Sequence, residues 1–237
     1  MIRPLLMKQV WYCLDECKPS FGLQRGGTGL ASRIMHLLVA RCVAEELDLP
    51  DLPRMLVGSL VPDGWRDPEQ RDKTHFKASR YRWSDSPVYQ YGHFIVKYRA
   101  RIADSFFIGY LTHLVADDVW RLALHVSGIQ AQARSGAQAY IETLRHDYYV
   151  SNAQLLATQD LSDVRQALEA ASWSDHPDEV DRDAIEEVRQ DALNDFEYPP
   201  TNVDAPLALL TLDLIESAVE RAAIRSIDVV YPLITRE

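Results

Sequence analysis

Apolar residues recur at three- and four-residue steps along most of the chain, the spacing that places them on one face of a helix. The clearest case is Phe107 to Trp120, which has no proline and one glycine and predicts a buried helix that continues until Ser127 and Gly128 end it. Without a strand-rich region or an internal repeat, the pattern predicts an all-α fold. Further amphipathic helices are predicted over residues 31–47, 88–105, 133–157, 161–173, 181–196 and 203–225.

Three stretches depart from this pattern. Residues 1–30 show no sustained period and predict a loosely packed lead-in. Residues 64–87 are polar and irregular and predict a long surface loop that rejoins the core at Thr74 to Phe76. Residues 227–234 predict a short extended segment. Residues 31–237 as a whole predict one helical domain. It has a ligand-bearing core at about 31–150 and a helical C-terminal part at about 160–237.

Charge and composition limit the kinds of partner that the protein is expected to bind. The chain has 35 acidic and 25 basic residues, a net charge of -10, so no nucleic-acid partner is expected. A negatively charged substrate would need local neutralisation, which a bound divalent cation supplies. The chain has no run of 18 apolar residues and no signal-peptide pattern, so we expect a cytoplasmic protein without a stable membrane anchor. Three cysteines, an odd number, argue against a disulfide framework.

Histidines and carboxylates stand at ends, turns and inward faces of the predicted helices. His113 and Asp117 are four residues apart on the buried helix and therefore share a face. Burying them is costly unless they pair with each other, as a hydrogen bond that joins two helices, or bind a cation. His36 lies early in the first helix, Asp63 follows a buried segment at an abrupt turn, and His75 lies where the polar loop rejoins the core.

This set of ligands indicates a metal site. Imidazole and carboxylate without thiolate suit zinc, and also manganese, iron or nickel, in a catalytic rather than a structural centre. Asp63 and Asp117 are the candidate catalytic carboxylates, and Asp147, next to His146, is a further candidate ligand. Basic residues of the polar loop are candidates for gripping phosphate oxygens: Arg66, Lys73, Arg80 and Arg82.

Four short segments strengthen the metal hypothesis. They are Met35 to Ala40, Gly58 to Asp63, Thr74 to Phe76 and Gly109 to Asp117. Taken in order, these segments resemble the bacterial zinc-dependent phospholipase C family, in particular its cytoplasmic, uncharacterised branch, and more distantly the P1-type nucleases. The similarity covers roughly residues 31–150 and implies a multi-helix bundle with metal ions held between helices.

The same resemblance implies a ligand set. Asp63, His75, His113 and Asp117 would hold one ion, and Asp117 would bridge to a second ion that His36 also binds. The secreted enzymes complete the second ion with an N-terminal tryptophan, which this chain does not have. They also hold a third ion, whose ligand spacing this chain does not match.

These observations predict a metal-dependent phosphoester hydrolase that uses a metal-activated water on a small phosphoester substrate. One or two ions, zinc first, are expected. An alternative is an HD-type phosphohydrolase, for which His146 and Asp147 form the only His-Asp doublet. A second alternative is a helical scaffold or binding protein with a structural metal or none. The sequence indicates neither the individual substrate nor the oligomeric state.

Overall fold

A computed structural model of the chain describes residues 31–77, 90–129, 137–174, 176–197 and 203–235. These ranges contain helices and connecting turns but no strand, so the all-α prediction is confirmed. The bundle type that the resemblance implies stays a prediction. The helices are α1 (Arg33–Glu46), α2 (Leu52–Leu60), α3 (Pro68–Thr74), α4 (Tyr91–Lys97), α5 (Ser105–Val126), α6 (Ala137–Thr158), α7 (Ser162–Ala170), α8 (Arg182–Asp195) and α9 (Leu212–Ile234); a 3₁₀ turn, Val61–Asp63, follows α2 directly.

Several helices begin at a side-chain cap that the sequence supplies. The Ser32 hydroxyl accepts from the Met35 amide at the start of α1, and the Asp104 carboxylate accepts from the Phe106 amide at the start of α5. Each cap satisfies an amide that has no partner within its own helix. The caps therefore place the first turns of the two helices that carry three of the six candidate ligands.

Helix α5 is the centre of the fold. Every residue from Ser105 to Asp117 is buried, and the helix packs against α1, α2, α4 and α9. Its aromatic residues meet Phe94 of α4, whose ring centroid lies 4.6 Å from that of Tyr110. Within the described ranges, no helix combines the length and the apolar character needed to cross a membrane.

Two glycines let α2 and α5 cross with their backbones in contact. A Cβ on Gly58 would lie 2.0 Å from the carbonyl oxygen of Phe106, and one on Gly109 would lie 2.1 Å from the carbonyl oxygen of Met55. No side chain can be added at either position without moving a backbone. The close crossing brings the backbone of α2 within hydrogen-bonding reach of side chains on α5.

The predicted surface loop is wrong over residues 68–74, which form α3. Asp67 caps this helix by accepting from the Gln70 amide at 2.9 Å, Pro68 stands in its first turn, and Lys73 donates to Glu69 at 2.8 Å. Seven residues are too few to show an apolar stripe, so local capping decides the structure here. The predicted lead-in, residues 1–30, and the loop residues 78–89 lie outside the described residues.

Two other predicted elements differ from the structure. The helix predicted over 88–105 is shorter, since α4 ends at Lys97 and turns follow. The predicted extended tail is wrong, because α9 begins at Leu212 and continues through residues 227–234. Ala218, Ala222 and Val230 are buried on one face of α9, which packs against α1 and α5. Tertiary packing therefore keeps the tail helical.

Candidate metal centre

Five of the six predicted ligand residues meet between α1, the 3₁₀ turn, the end of α3 and α5. His36 comes from α1, Asp63 from the turn and His75 from the C-terminus of α3, while His113 and Asp117 come from α5. The side chain of Asp63 is 7% exposed and those of the other four are 1% exposed or less, so the cluster is screened from bulk water.

The ligand atoms form two sets of three, and within each set all three atoms lie within 4.8 Å of one another: His36, Asp63 and His113 in one set, and His75, His113 and Asp117 in the other. His75 Nε2 lies 3.5 Å from Asp63 Oδ1 and 3.5 Å from Asp117 Oδ2. His113 Nε2 lies 3.4 Å from His75 Nε2 and 3.9 Å from Asp117 Oδ2. Zinc bound at about 2.0–2.2 Å in a tetrahedral site requires neighbouring ligand atoms to lie roughly 3.3–3.5 Å apart. The residues present therefore fit a divalent metal ion held by three protein ligands, which leaves a position for water.

Backbone carbonyls fix the tautomers of His75 and His113. His113 Nδ1 lies 2.7 Å from the Ser59 carbonyl oxygen, and His75 Nδ1 lies 3.0 Å from the Arg71 carbonyl oxygen. A carbonyl oxygen can only accept, so we assign the proton to Nδ1 in each ring. Both Nε2 atoms then point lone pairs at each other across 3.4 Å, which is repulsive unless a cation lies between them. This is the arrangement of metal-ligating histidines, whose second nitrogen is held by an outer partner.

Thr74 ties the segments that carry Asp63 and His75 together. Its hydroxyl donates to the Pro62 carbonyl oxygen at 2.7 Å, and its own carbonyl accepts from the Tyr110 hydroxyl of α5 at 2.6 Å. Thr74 precedes His75 and is bonded to Pro62, which precedes Asp63. Thr74 is also bonded to Tyr110 of α5. These contacts hold the side chains of Asp63 and His75 against those of His113 and Asp117.

Phe76, directly after His75, has a left-handed backbone with φ 49. Its amide donates to the Lys73 carbonyl, and the next amide donates to the Asp72 carbonyl, as in the turn that ends many helices. Glycine is usual at this position, but the ring of Phe76 packs against Phe94 and Tyr110 at 5.4 and 6.3 Å. Aromatic packing therefore offsets the strained backbone and sets where the chain goes after His75.

His36 extends the cluster beyond four ligands. Its ring stacks on that of His113, with centroids 3.7 Å apart and an interplanar angle of 8°. Both ring nitrogens are buried without a hydrogen-bond partner among the described residues. Nε2 nevertheless lies 3.5 Å from Asp117 Oδ1, while Oδ2 of the same carboxylate faces His75. The two oxygens of Asp117 thus face different histidines, as a bridging carboxylate requires.

The protonation states suit metal binding. Burial acts to raise the pKa of the Asp63 and Asp117 carboxyl groups, but the neighbouring imidazoles, His75 3.5 Å from Asp63 and His36 3.5 Å from Asp117, outweigh it and hold both pKa values well below the usual range. Burial, reinforced by His36, lowers the pKa of His113 to about 3. At neutral pH the carboxylates are ionised and the His113 imidazole is neutral, which are the forms that bind metal.

The structure does not bring the sixth predicted ligand, Asp147, to the cluster. Its carboxylate accepts from the backbone amides of Ala208, Leu209 and Leu210, with the shortest distance 2.7 Å from the Leu209 nitrogen. Its neighbour His146 is 43% exposed. A buried carboxylate that accepts several amides has its charge already satisfied. Asp147 therefore holds the segment before α9 in place, a role that only the distant amide donors reveal.

Asp147→Ala is expected to lower the free energy of unfolding by about 2 kcal/mol, because buried amides lose their acceptor. Metal content should stay at the wild-type level. Urea unfolding and elemental analysis of the same preparation measure both quantities. His146→Ala, on an exposed side chain, is the matched control and should change stability by less than about 0.5 kcal/mol. Loss of metal in the Asp147 variant while it remains folded would contradict this role.

The basic residues near the centre are not those that the sequence singled out. Arg66 is exposed and donates to Glu187, and Lys73 is exposed and donates to Glu69. Arg80 and Arg82 lie outside the described residues. Instead, Lys77 stands two residues after His75: burial, followed by the charge of Arg71, lowers the pKa of its amino group to about 8, against the opposing charges of Asp117, Asp72 and Asp63. In the sequence, the one feature that points to Lys77 is its position two residues after His75.

Comparison of the chain with protein-family models, with curated proteins and with solved structures found no significant match. The resemblance to zinc-dependent phospholipase C and P1-type nucleases is therefore still a prediction. The geometry of the cluster is the basis for any functional conclusion.

Proposed function

We propose that this protein is a metal-dependent phosphoester hydrolase that holds one or two divalent ions, with zinc the best fit. The observation that carries the proposal is the inward-facing pair of Nε2 atoms of His75 and His113, 3.4 Å apart with carboxylates on either side. If these residues served only to pack and to hydrogen-bond with each other, a hydrogen-bond donor would lie between the two Nε2 atoms. Both Nδ1 atoms contact backbone carbonyls, and His75 Nδ1 also lies 3.0 Å from the Thr74 hydroxyl, an arrangement that supports a cation between the two Nε2 atoms.

Each ligand has a distinct task in this proposal. A bound zinc ion lowers the pKa of its water toward about 7 and polarises a phosphoryl oxygen. His75 and His113 present Nε2 atoms whose positions are held by the carbonyl partners of their Nδ1 atoms. Asp63 is the ligand side chain with the greatest exposure, 7%, so it is placed to take a proton from water at the accessible side. Asp117 orients His36 and His75 through different oxygens.

A second ion is part of the proposal because of His36. A buried imidazole with neither nitrogen hydrogen-bonded among the described residues is costly, and Nε2 is directed at the oxygen of Asp117 that does not face His75. These two residues would supply part of a second coordination shell. The contribution of Asp117 to both ions would fix their separation.

The other two functional classes are less well supported. An HD-type site would need His146 and Asp147 in one centre, but His146 is exposed and the Asp147 carboxylate accepts backbone amides. A structural zinc site commonly uses thiolate ligands, and the only cysteine in the described ranges, Cys42, is exposed on α1. A donor set of imidazoles and carboxylates favours the hydrolase.

Elemental analysis of untagged protein purified without chelator tests the proposal, beside the variant His113→Ala/Asp117→Ala checked for folding by circular dichroism. We expect one or two ions per chain in the wild type, none in the variant, and hydrolysis of p-nitrophenyl phosphate or its diester only by the metal-loaded wild type. Protein that binds no metal on reconstitution would overturn the metal centre. Protein that binds metal in these residues but cleaves neither ester would overturn the hydrolase and leave a structural site.

A further inference from the structure

We infer that Thr74 is a positioning residue of the metal centre and that its hydroxyl sets how tightly the ion is held. This inference rests on the proposed function and deepens it, because it assigns control of the site to a side chain that is not one of the candidate ligands. Thr74 directly precedes His75 and is 0% exposed.

The Thr74 hydroxyl is an acceptor for the Nδ1 proton of His75. Its oxygen lies 3.0 Å from His75 Nδ1. The Arg71 carbonyl oxygen is equally close to Nδ1, but it already accepts from the His75 backbone amide, also at 3.0 Å. Since a hydroxyl has two lone pairs and one proton, the Thr74 oxygen can accept from Nδ1 while its own proton goes to another group.

The proton of the Thr74 hydroxyl goes to the Pro62 carbonyl oxygen, 2.7 Å away. This carbonyl belongs to the planar peptide that joins Pro62 to Asp63, so its direction fixes the position of the Asp63 Cα. The hydroxyl thus connects the ring of His75 to the backbone of Asp63. On the other side of the same ring, His75 Nε2 lies 3.5 Å from Asp63 Oδ1. The four groups form a closed circuit, and a bound ion would join its last two members.

This circuit orients both ligands before the ion binds. Without the Thr74 hydroxyl, the Pro62 carbonyl would lose this donor and the His75 ring would keep only its contact with Arg71. Part of the binding free energy would then be used to order Asp63 and His75. Loss of such outer hydrogen bonds typically weakens metal binding about 10- to 100-fold.

Thr112 is a matched comparison for Thr74. It is also 0% exposed, and it directly precedes the ligand His113 on α5. Its hydroxyl oxygen, however, has no hydrogen-bond partner among the described residues. The two positions therefore share residue type, burial and place beside a ligand histidine, and they differ in whether the hydroxyl joins two ligands.

Zinc titration in competition with a chromogenic chelator at pH 7 tests the inference. The proteins are wild type, Thr74→Val, Thr74→Ser and Thr112→Val, each stripped of metal and checked for folding by circular dichroism. Thr74→Val should bind zinc about tenfold more weakly than wild type, or weaker still. Thr74→Ser restores the hydroxyl and should bind within about threefold of wild type, and Thr112→Val within about twofold.

The possible outcomes separate this inference from the proposed function. Folded Thr74→Val that binds zinc within about twofold of wild type would overturn the inference, even if its stability falls, because Thr74 would then serve the fold alone. Equal losses of affinity in Thr74→Val and Thr112→Val would also overturn it, since the hydroxyl circuit would not be the cause. Wild type that binds no zinc would overturn the metal centre and this inference together. If Thr74→Val does not fold, Thr74→Ala replaces it, because alanine removes the hydroxyl without placing a methyl group against the Pro62 carbonyl.

Discussion

Removal of the bound metal by a chelator is expected to lower the free energy of unfolding by about 4 kcal/mol, the mass-action effect of a ligand present at about a thousand times its dissociation constant. The physical reason lies in the cluster itself. Without a cation, the ionised carboxylates of Asp63 and Asp117 and the lone pairs of two imidazoles remain buried against each other. Thermal and urea unfolding with and without EDTA measure the difference.

The variant His113→Ala/Asp117→Ala is the control for chelation, since it has lost two of the ligands. Its unfolding curve should be the same with and without EDTA. Addition of zinc should restore the stability of the chelated wild type and leave the variant unchanged. Wild-type curves that coincide in the presence and absence of chelator, for protein shown to contain metal beforehand, would contradict a metal bound by these residues.

Gly109→Ala is expected to destabilise the fold by about 3 kcal/mol or more, because the added Cβ would lie 2.1 Å from the Met55 carbonyl oxygen. The atom it meets is backbone, so no rotamer change relieves the overlap. Separation of α2 from α5 would also move the Ser59 carbonyl away from His113 Nδ1, now 2.7 Å apart, and we expect the variant to retain less metal. Urea unfolding and elemental analysis measure the two effects.

Gly92→Ala provides the comparison, since a Cβ at this position in α4 has no heavy atom within 4 Å. It should leave stability unchanged or raise it by up to about 1 kcal/mol through the better helix propensity of alanine. Equal stability of the Gly109 and Gly92 variants would mean that the two helices can separate at little cost. The inference that the crossing of α2 and α5 fixes the tautomer of His113 would then be wrong.

Much of the fold and most of the cluster could be predicted from sequence because their signals are local. The four-residue spacing of His113 and Asp117 on an apolar helix requires that both side chains share one buried face, and α5 has this form. His36 was placed on a helix and Asp63 after a buried segment, as the structure has them. The five residues were grouped from their types and positions, and the resemblance to a known family implied only how they would divide between two ions.

The features that could not be predicted depend on contacts between distant residues. Asp147 is a histidine's neighbour in sequence, but its partners are amides 61 to 63 positions away. The tautomer of His113 depends on a carbonyl 54 positions away. The helical tail of α9 depends on packing against α1 and α5.

The bond from Thr74 to the Pro62 carbonyl has a kinetic consequence. It joins the Asp63 turn and the His75 end of α3 into one unit, while His113 and Asp117 belong to the long helix α5. With the ligands buried, an ion reaches them only through a local opening, and an opening between residues 61–77 and α5 would break the bond from Tyr110 to Thr74. We expect ion exchange to be slow and its rate to equal that of this local opening, independent of the free ion concentration.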